Sequence, residues 1–133
     1  MKITDLTSMT SAFRRAHKMC QESTNVIPMG AVIVKKGKII SASCNQELKT
    51  HPYIKEYGHH NYIKSIHAEL SAILKVKNRD QLRGATIVIY RERKDKSFGV
   101  ARPCAMCYEI IKRFGIKKMQ YTTENGIQEE FII

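Results

Sequence analysis

The sequence predicts an α/β domain in which helices pack on a five-stranded sheet. Three observations support this fold class: apolar residues recur at helical spacing, β-branched runs alternate with those segments, and turn signals join the first two and the last two strands. The chain has 133 residues, of which 43% are hydrophobic, so it is long enough for one core and too short for two. We therefore expect residues 1–133 to form a single domain.

The first predicted elements are a helix and a β-hairpin. Apolar residues recur every three or four positions over residues 5–20, which predicts an amphipathic helix. The runs Ala31–Val34 and Ile39–Cys44 flank the glycine-containing turn Lys35–Lys38, so they predict two antiparallel strands. Asn45 ends the second strand.

Residues 46–64 are the least regular part of the sequence. Lysine and tyrosine alternate there, which favours stacking and phosphate contacts. We favour instead a polar excursion that shapes the mouth of a pocket. A second, structural zinc site is a further alternative without a tight ligand spacing to support it. Its ligands would come from His51, His59, His60 and Cys20.

The second half of the chain begins with a helix and a buried strand. Ser65 is expected to cap a helix that runs through Ile66, Leu70, Ile73 and Leu74, which would face the core. The continuous apolar run Ala85–Tyr90 then predicts a strand that is buried on both faces.

The last predicted elements are a helix and two strands. A helix is expected to begin at Pro103 and to end at Gly115. The strands Lys117–Thr122 and Ile127–Ile132 follow, with an Asn-Gly turn signal between them. This connection is too short for a parallel crossover, so the last strand must run antiparallel to its predecessor.

Two short motifs supply the donors of a metal site. His67, Cys104 and Cys107 offer one imidazole and two thiols, and Glu69 adds a spare carboxylate. This is the inventory of a catalytic zinc site with three protein ligands, one open position and an acid/base beside it. Each motif lies at the predicted start of a helix, where the helix dipole favours a thiolate. The sequence thus predicts a Zn²⁺ site between two helix N-termini.

A C-x-x-C pair has two other interpretations, a redox pair and half of a structural zinc site. No thioredoxin-like pattern precedes Cys104, and its proline stands before the pair rather than inside it. A structural site would need a further thiol from Cys20 or Cys44, which fall in segments that predict a helix and a strand. The combination with the histidine motif therefore favours the catalytic site.

The charge of the chain is strongly positive. Lysine and arginine number 23 against 12 acidic residues, a formal net charge of +11, which suits a polyanion or a phosphorylated small molecule. A basic loop, Arg91–Arg102, leads into the cysteine motif, so we expect Arg91 and Arg102 to contact substrate.

No apolar run approaches the ~20 residues of a membrane helix, and the first ten residues lack the core of a signal peptide. With four cysteines, two of them assigned to metal, we expect a cytoplasmic location.

The order H-x-E then P-C-x-x-C resembles the motifs of the cytidine deaminase-like superfamily of zinc-dependent nucleobase deaminases. The resemblance extends from about Gly30 to the C-terminus. It implies a three-layer α/β/α fold with a five-stranded mixed sheet, and Glu69 as a proton shuttle. It also implies contacts to substrate from Asn45 and Ala68.

The resemblance further implies hydrolytic deamination of cytosine in a free nucleoside or nucleotide by a homo-oligomer. The antiparallel ending resembles the branch that acts on free cytidine. One alternative is a deaminase of bases within RNA or single-stranded DNA, which the net charge favours. Another is a non-catalytic zinc module that binds nucleic acid, although such a module would have no use for Glu69.

Overall fold

The computed structural model describes residues 10–23, 25, 27–47 and 65–132. The elements in chain order are α1 (Ser11–Glu22), β1 (Met29–Lys35), β2 (Lys38–Cys44), β3 (Gln46–Glu47), β4 (Ser65–Ile66), α2 (Ala68–Leu74), a 3₁₀ turn (Arg79–Leu82), β5 (Thr86–Arg91), α3 (Ala105–Arg113), β6 (Lys118–Thr123) and β7 (Gly126–Phe131). No described helix is long and apolar enough to span a membrane.

Five strands form one mixed sheet in the order β2-β1-β5-β6-β7. β1 is antiparallel to both β2 and β5, whereas β5 and β6 are parallel. β7 is antiparallel to β6, as the short connection between them predicts. The predicted hairpin is also confirmed: Lys36 and Gly37 both have positive φ, which suits the tight turn between β1 and β2.

Helices cover both faces of the sheet, so the predicted three-layer architecture is confirmed. On one face, Phe13 and Ala16 of α1 pack with Val88 and Tyr90 of β5. On the other face, α2 and α3 pack over the alternate β5 residues, such as Ile87. Because successive residues of β5 point to opposite faces, this strand is buried on both sides, as its apolar run predicts.

The backbone of α1 lies directly on β1 at Gly30. A Cβ added at Gly30 would lie 2.1 Å from the Ala16 carbonyl oxygen and 2.6 Å from the Cys20 backbone nitrogen. Both are backbone atoms, which cannot swing aside as a long side chain can. Glycine at this position therefore sets how closely the helix approaches the sheet.

The N-termini of two helices differ from the prediction. Ser65 is not a cap: it pairs with Glu47 in the short ribbon of β3 and β4, and His67 is the N-cap of α2. α3 begins at Ala105 rather than at Pro103, with Cys104 as its N-cap. In both cases the backbone stays extended up to the predicted ligand, which a capping rule based on hydroxyl side chains does not anticipate.

The end of α3 matches the prediction. Gly115 has φ +81° and follows the C-cap residue Phe114. The backbone N–H of Gly115 donates to Lys112 and that of Ile116 donates to Ile111, the paired bonds of a Schellman motif.

Two predictions extend beyond the described residues. α1 begins at Ser11, capped by the Thr10 hydroxyl, and the predicted first turn at residues 5–9 lies outside them. Within 46–64, only Gln46 and Glu47 are described, so the three histidines of the alternative zinc site also lie outside.

Candidate active site

Two crossover helices bring the two motifs together. β2, β5 and β6 run in the same direction, so α2, which precedes β5, and α3, which follows it, both begin at the carboxyl edge of these strands. Open α/β sheets bind ligands at this edge. His67 and Cys104 are the N-caps of the two helices, and Glu69 and Cys107 lie in their first turns.

The three predicted ligands form one cluster. The Nδ1 atom of His67 lies 3.3 Å from Cys107 Sγ and 3.7 Å from Cys104 Sγ. Ligand atoms at the corners of a zinc tetrahedron with one nitrogen and two sulfurs stand about 3.6 Å apart, given the usual bond lengths. Among the described residues this is the one group of three side chains suited to hold a metal ion. All three ligand atoms lie within 4.8 Å of one another, and one imidazole with two thiols is a donor set that suits zinc.

The carboxyl group of Glu69 is buried beside this cluster. The residue is 3% exposed, and its Oε1 atom has no hydrogen-bond partner among the described residues. Burial raises the pKa of Glu69, while the nearby His67 opposes that shift. A buried carboxylate oxygen without a partner is costly, so its presence indicates a place for a polar group of a ligand.

The two thiols differ in their affinity for protons. A hydrogen bond from the Cys107 thiol lowers the pKa of Cys104 to about 4, with a further contribution from His67. The same hydrogen bond, together with burial, raises the pKa of Cys107 well above its ordinary value. Cys104 is thus the ready thiolate, and Cys107 must give up its proton to serve as a second anionic ligand.

A family model described as "Cytidine and deoxycytidylate deaminase zinc-binding region" matches residues 5–123. The chain belongs to this family. The match includes both motifs and agrees with the ligand cluster at the helix N-termini. Comparison with curated protein sequences gave no significant match.

Solved structures of deaminases share the fold. A cytidine deaminase from Burkholderia pseudomallei superimposes with a TM-score of 0.66 at 19% identity, covering 93% of this chain and 94% of that one. The dCMP deaminase of cyanophage S-TIM5, in complex with dCMP and dUMP, gives 0.59 at 21% identity, with coverage of 86% and 84%. A Thermotoga maritima diaminohydroxyphosphoribosylaminopyrimidine deaminase/reductase gives 0.53 at 24% identity, covering 85% of this chain but 28% of that one. At these identities the likeness establishes the fold.

Buried hydroxyl groups attach helix α2 to the sheet. Ser43 of β2 and Ser71 of α2 face each other with 2.6 Å between their oxygens. Ser41 donates a 2.7 Å hydrogen bond to the carbonyl of Ala72. These contacts set the register of α2 against β2 and so position Glu69, two residues before Ser71.

Asn45 lies at the end of β2, and its side chain is engaged within the protein. Its Oδ1 accepts from the Ser23 hydroxyl at 2.5 Å and from the Met29 N–H at 3.0 Å. Its Nδ2 donates to the Ile27 carbonyl at 2.7 Å. These bonds tie the end of α1 to the start of β1. A contact between Asn45 and substrate stays a prediction.

Ala68 is fully buried as the first residue of α2, and its substrate contact stays a prediction as well.

Arg91 and Arg102 occupy different places. Arg91 ends β5, where its backbone N–H donates to the Thr122 hydroxyl and its guanidinium donates to the Val100 carbonyl at 3.4 Å. Arg102 directly precedes the cysteine motif and forms a two-pronged bond to Glu130, at 2.8 and 3.3 Å. Substrate binding by either arginine stays a prediction.

Sequence reasoning missed the partners of Arg102. The Tyr121 hydroxyl also donates to Glu130, and the Arg102 guanidinium lies 5.7 Å from the centre of the Tyr108 ring. These residues link β6 and β7 to the segment that carries Cys104. No local pattern in the sequence pairs Arg102 with Glu130, because the two residues are 28 positions apart.

Proposed function

We propose that the protein is a zinc-dependent hydrolytic deaminase of cytosine in a free nucleoside or nucleotide, which it converts to the uracil form with release of ammonia. The observation that carries this proposal is the buried Oε1 of Glu69, which lies beside the His67–Cys104–Cys107 cluster and has no hydrogen-bond partner among the described residues. A purely structural metal site has no need of such a carboxylate. Membership of the deaminase family supports the same reaction type.

His67, Cys104 and Cys107 would hold the zinc ion, which when bound supplies a water activated for attack near neutral pH. Glu69 takes a proton from the attacking water and gives it to the ring nitrogen next to C4. The water oxygen bonds to C4, and the bond from C4 to the exocyclic nitrogen then breaks. Glu69 passes the second proton to the departing amine, so ammonia leaves and a carbonyl remains.

A free substrate suits the chain for two reasons. The last strand is antiparallel to β6, the arrangement that resembles the branch acting on free cytidine. Two of the similar structures are a cytidine deaminase and a dCMP deaminase that holds dCMP and dUMP. Asn45, Ala68, Arg91 and Arg102 are the residues we propose for substrate contacts in addition to the zinc group.

Ammonia release from a panel of candidates tests the proposal. The panel contains cytidine, deoxycytidine, dCMP, cytosine, guanine, adenosine and short single strands, each with zinc-loaded protein. We expect turnover of a cytosine nucleoside or nucleotide, and turnover at least about 100-fold slower by the Glu69→Gln protein. Turnover confined to guanine or adenosine would overturn the choice of base, and no ammonia from any member would overturn the enzyme assignment.

Deamination of bases within RNA or single-stranded DNA is the second candidate, and the net charge of +11 favours it. Several of the described cations are already paired, however, including Arg93 with Glu124 and Lys118 with Glu129. On this alternative, binding to single strands falls steeply with salt, by a log–log slope of about −0.7 per neutralised phosphate. Such binding without turnover of any free compound would replace our first choice.

We also propose that the chain forms a single domain, assembles as a homo-oligomer and is located in the cytoplasm. Measurement of the particle size in solution tests the oligomer, and cell fractionation tests the location.

A further inference from the structure

A cleft of about 780 Å³ lies at the same carboxyl edge as the zinc cluster. Its walls are the last turn of α1, residues of the segment that leads into β1, and the start of the basic loop after β5. Met29 and Arg91 pair at this edge, where β1 begins and β5 ends. None of His67, Glu69, Cys104 or Cys107 is among the described residues that line it. The cleft is therefore separate from the reacting groups.

Among the charged residues that line this cleft, cations outnumber carboxylates. Four of the described lining residues are basic, Arg91, Arg93, Lys94 and Lys96, and one is acidic, Glu92. One Glu92 oxygen lies 2.6 Å from the ring of His17, and the other lies 3.5 Å from the Lys96 ammonium. The single carboxylate is thus already engaged by two partners.

Two of the four cations have no carboxylate partner among the described residues. Arg93 meets Glu124 at 2.5 Å, a pair that is largely exposed and so of low strength. Arg91 donates to a backbone carbonyl and has no ion pair with any carboxylate of residues 10–23, 25, 27–47 and 65–132. Lys94 has no ion pair in the part of the chain that the structure describes. Cations left unpaired in a concave surface attract anions.

The size and chemistry of the cleft identify the class of ligand. Clefts of about 300–1,000 Å³ hold small molecules rather than a polymer groove. A guanidinium fork and an ammonium group that line one cleft suit the oxygens of a phosphate, which accept several charge-assisted hydrogen bonds at once. We infer that this cleft binds the phosphate group of a small molecule through Arg91 and Lys94. The phosphate belongs either to the substrate, in which case the inference rests on the proposed function, or to a separate phosphorylated ligand.

Titration calorimetry of the zinc-loaded protein with inorganic pyrophosphate tests this inference without any turnover. Lys94→Glu reverses one charge in the cleft, and Lys77→Glu makes the same change at an exposed residue after the far end of α2. Loss of a charge-assisted hydrogen bond costs about 1.5–3 kcal/mol, so we expect the dissociation constant to rise about tenfold or more in Lys94→Glu. In Lys77→Glu it should rise by less than about twofold, because exposed charges are screened beyond ~10 Å.

If the wild-type protein does not bind pyrophosphate at millimolar concentration, the inference is wrong. Equal weakening by the two variants would overturn it too, because net charge alone would then explain the binding. The proposed function does not enter either result, since calorimetry reports occupancy of the cleft whatever the protein catalyses.

Kinetics with the two variants distinguish the sources of the phosphate. If the phosphate is that of the substrate, Lys94→Glu raises KM for dCMP but not for deoxycytidine, and pyrophosphate competes with dCMP. If the ligand is separate, KM for both compounds is unchanged by Lys94→Glu, and pyrophosphate does not compete. Both results support a phosphate site, and they differ only in which molecule brings the phosphate.

Discussion

The carboxyl edge of the sheet carries two regions of opposite character. At the starts of α2 and α3, a compact and partly buried group of metal donors lies beside a buried carboxylate oxygen that has no partner among the described residues. At the end of β5, the lining of an open cleft includes four cations. The first region has the short distances and burial needed for bond making. The second has the charge and the room needed for binding.

This difference shows that the groups suited to catalysis and the groups suited to binding an anion lie in separate regions of one short chain. Glu69 lies in the protein interior, and this burial raises its pKa. The cations of the basic loop stay in water, where a charge costs little to maintain. Substitutions in the two regions should therefore differ in kind: those at the cluster abolish chemistry, and those elsewhere alter stability or affinity.

The largest expected effect comes from the buried ligand Cys107. Cys107→Ser should lower the zinc content from about one ion per chain to a small fraction, because two ligands seldom retain the metal. Deaminase activity should fall by at least about 100-fold, the cost of losing even an outer partner of a metal site. Metal analysis and ammonia release measure the two quantities.

Cys20→Ser is the matched control for Cys107→Ser. Cys20 is also buried, but its thiol donates to the Pro28 carbonyl on the α1 side of the sheet, which a serine hydroxyl can do as well. This control should keep its zinc. A Cys107→Ser protein with full zinc and full activity would exclude the proposed metal cluster.

Glu69→Gln is expected to have the next largest effect. The amide is nearly isosteric and leaves all three ligands in place, so zinc content and the urea midpoint should persist. Activity should fall by about 10²–10⁴-fold or more, since the group acts in two proton transfers. Glu109→Gln, an exposed change on α3, should leave activity unchanged. Near-full activity of Glu69→Gln would mean that another group moves the protons.

Gly30→Ala tests the opposite face of the sheet. The added methyl group meets backbone atoms of α1, so we expect a loss of about 1–3 kcal/mol in the free energy of unfolding. Zinc per folded chain should not change, which separates this face from the cluster. Gly37→Asn is the control, since Gly37 has open space around it and asparagine tolerates its positive φ. An unchanged urea midpoint in Gly30→Ala would contradict the close packing of α1 on β1.

The smallest effect is expected for Glu130→Gln, which removes the charge that holds Arg102. The pair is partly exposed, so its loss should cost about 0.2–1 kcal/mol at pH 7. Hydrogen bonds from Arg102 and Tyr121 lower the pKa of Glu130. A carboxyl group with a lowered folded-state pKa stabilises the protein above its unfolded pKa, and that stabilisation is lost as the pH falls through the folded pKa.

The difference in urea midpoint between wild type and Glu130→Gln should therefore shrink as the pH falls below about 4.3, the ordinary pKa of glutamate. Gln128→Asn, an exposed change on the same strand, serves as the control and should show no pH-dependent difference. A difference for Glu130→Gln that stays constant down to pH 3 would mean that the carboxylate charge does not hold Arg102.

The sequence by itself determined the five strands of the main sheet, the antiparallel last pair and the three residues of the candidate metal cluster. These features depend on local rules: hydrophobic periodicity, the length of a connection, and the spacing of Cys104 and Cys107 on one helical turn. The C′ glycine at Gly115 is equally local, since one residue must adopt a positive φ.

Only the tertiary structure decided which side chains meet across the chain. Arg102 and Glu130 are 28 positions apart, and His17 and Glu92 are 75 apart, so no periodic pattern pairs them. The pairing of β3 with β4 likewise made His67, not Ser65, the cap of α2. In the sequence the basic loop is one charged segment. In the structure Arg91 and Lys94 line the cleft, whereas Arg102 bonds Glu130 of β7. The physical reason is that ion pairs and sheet pairing depend on distances in space, which the chain acquires only when the sheet forms.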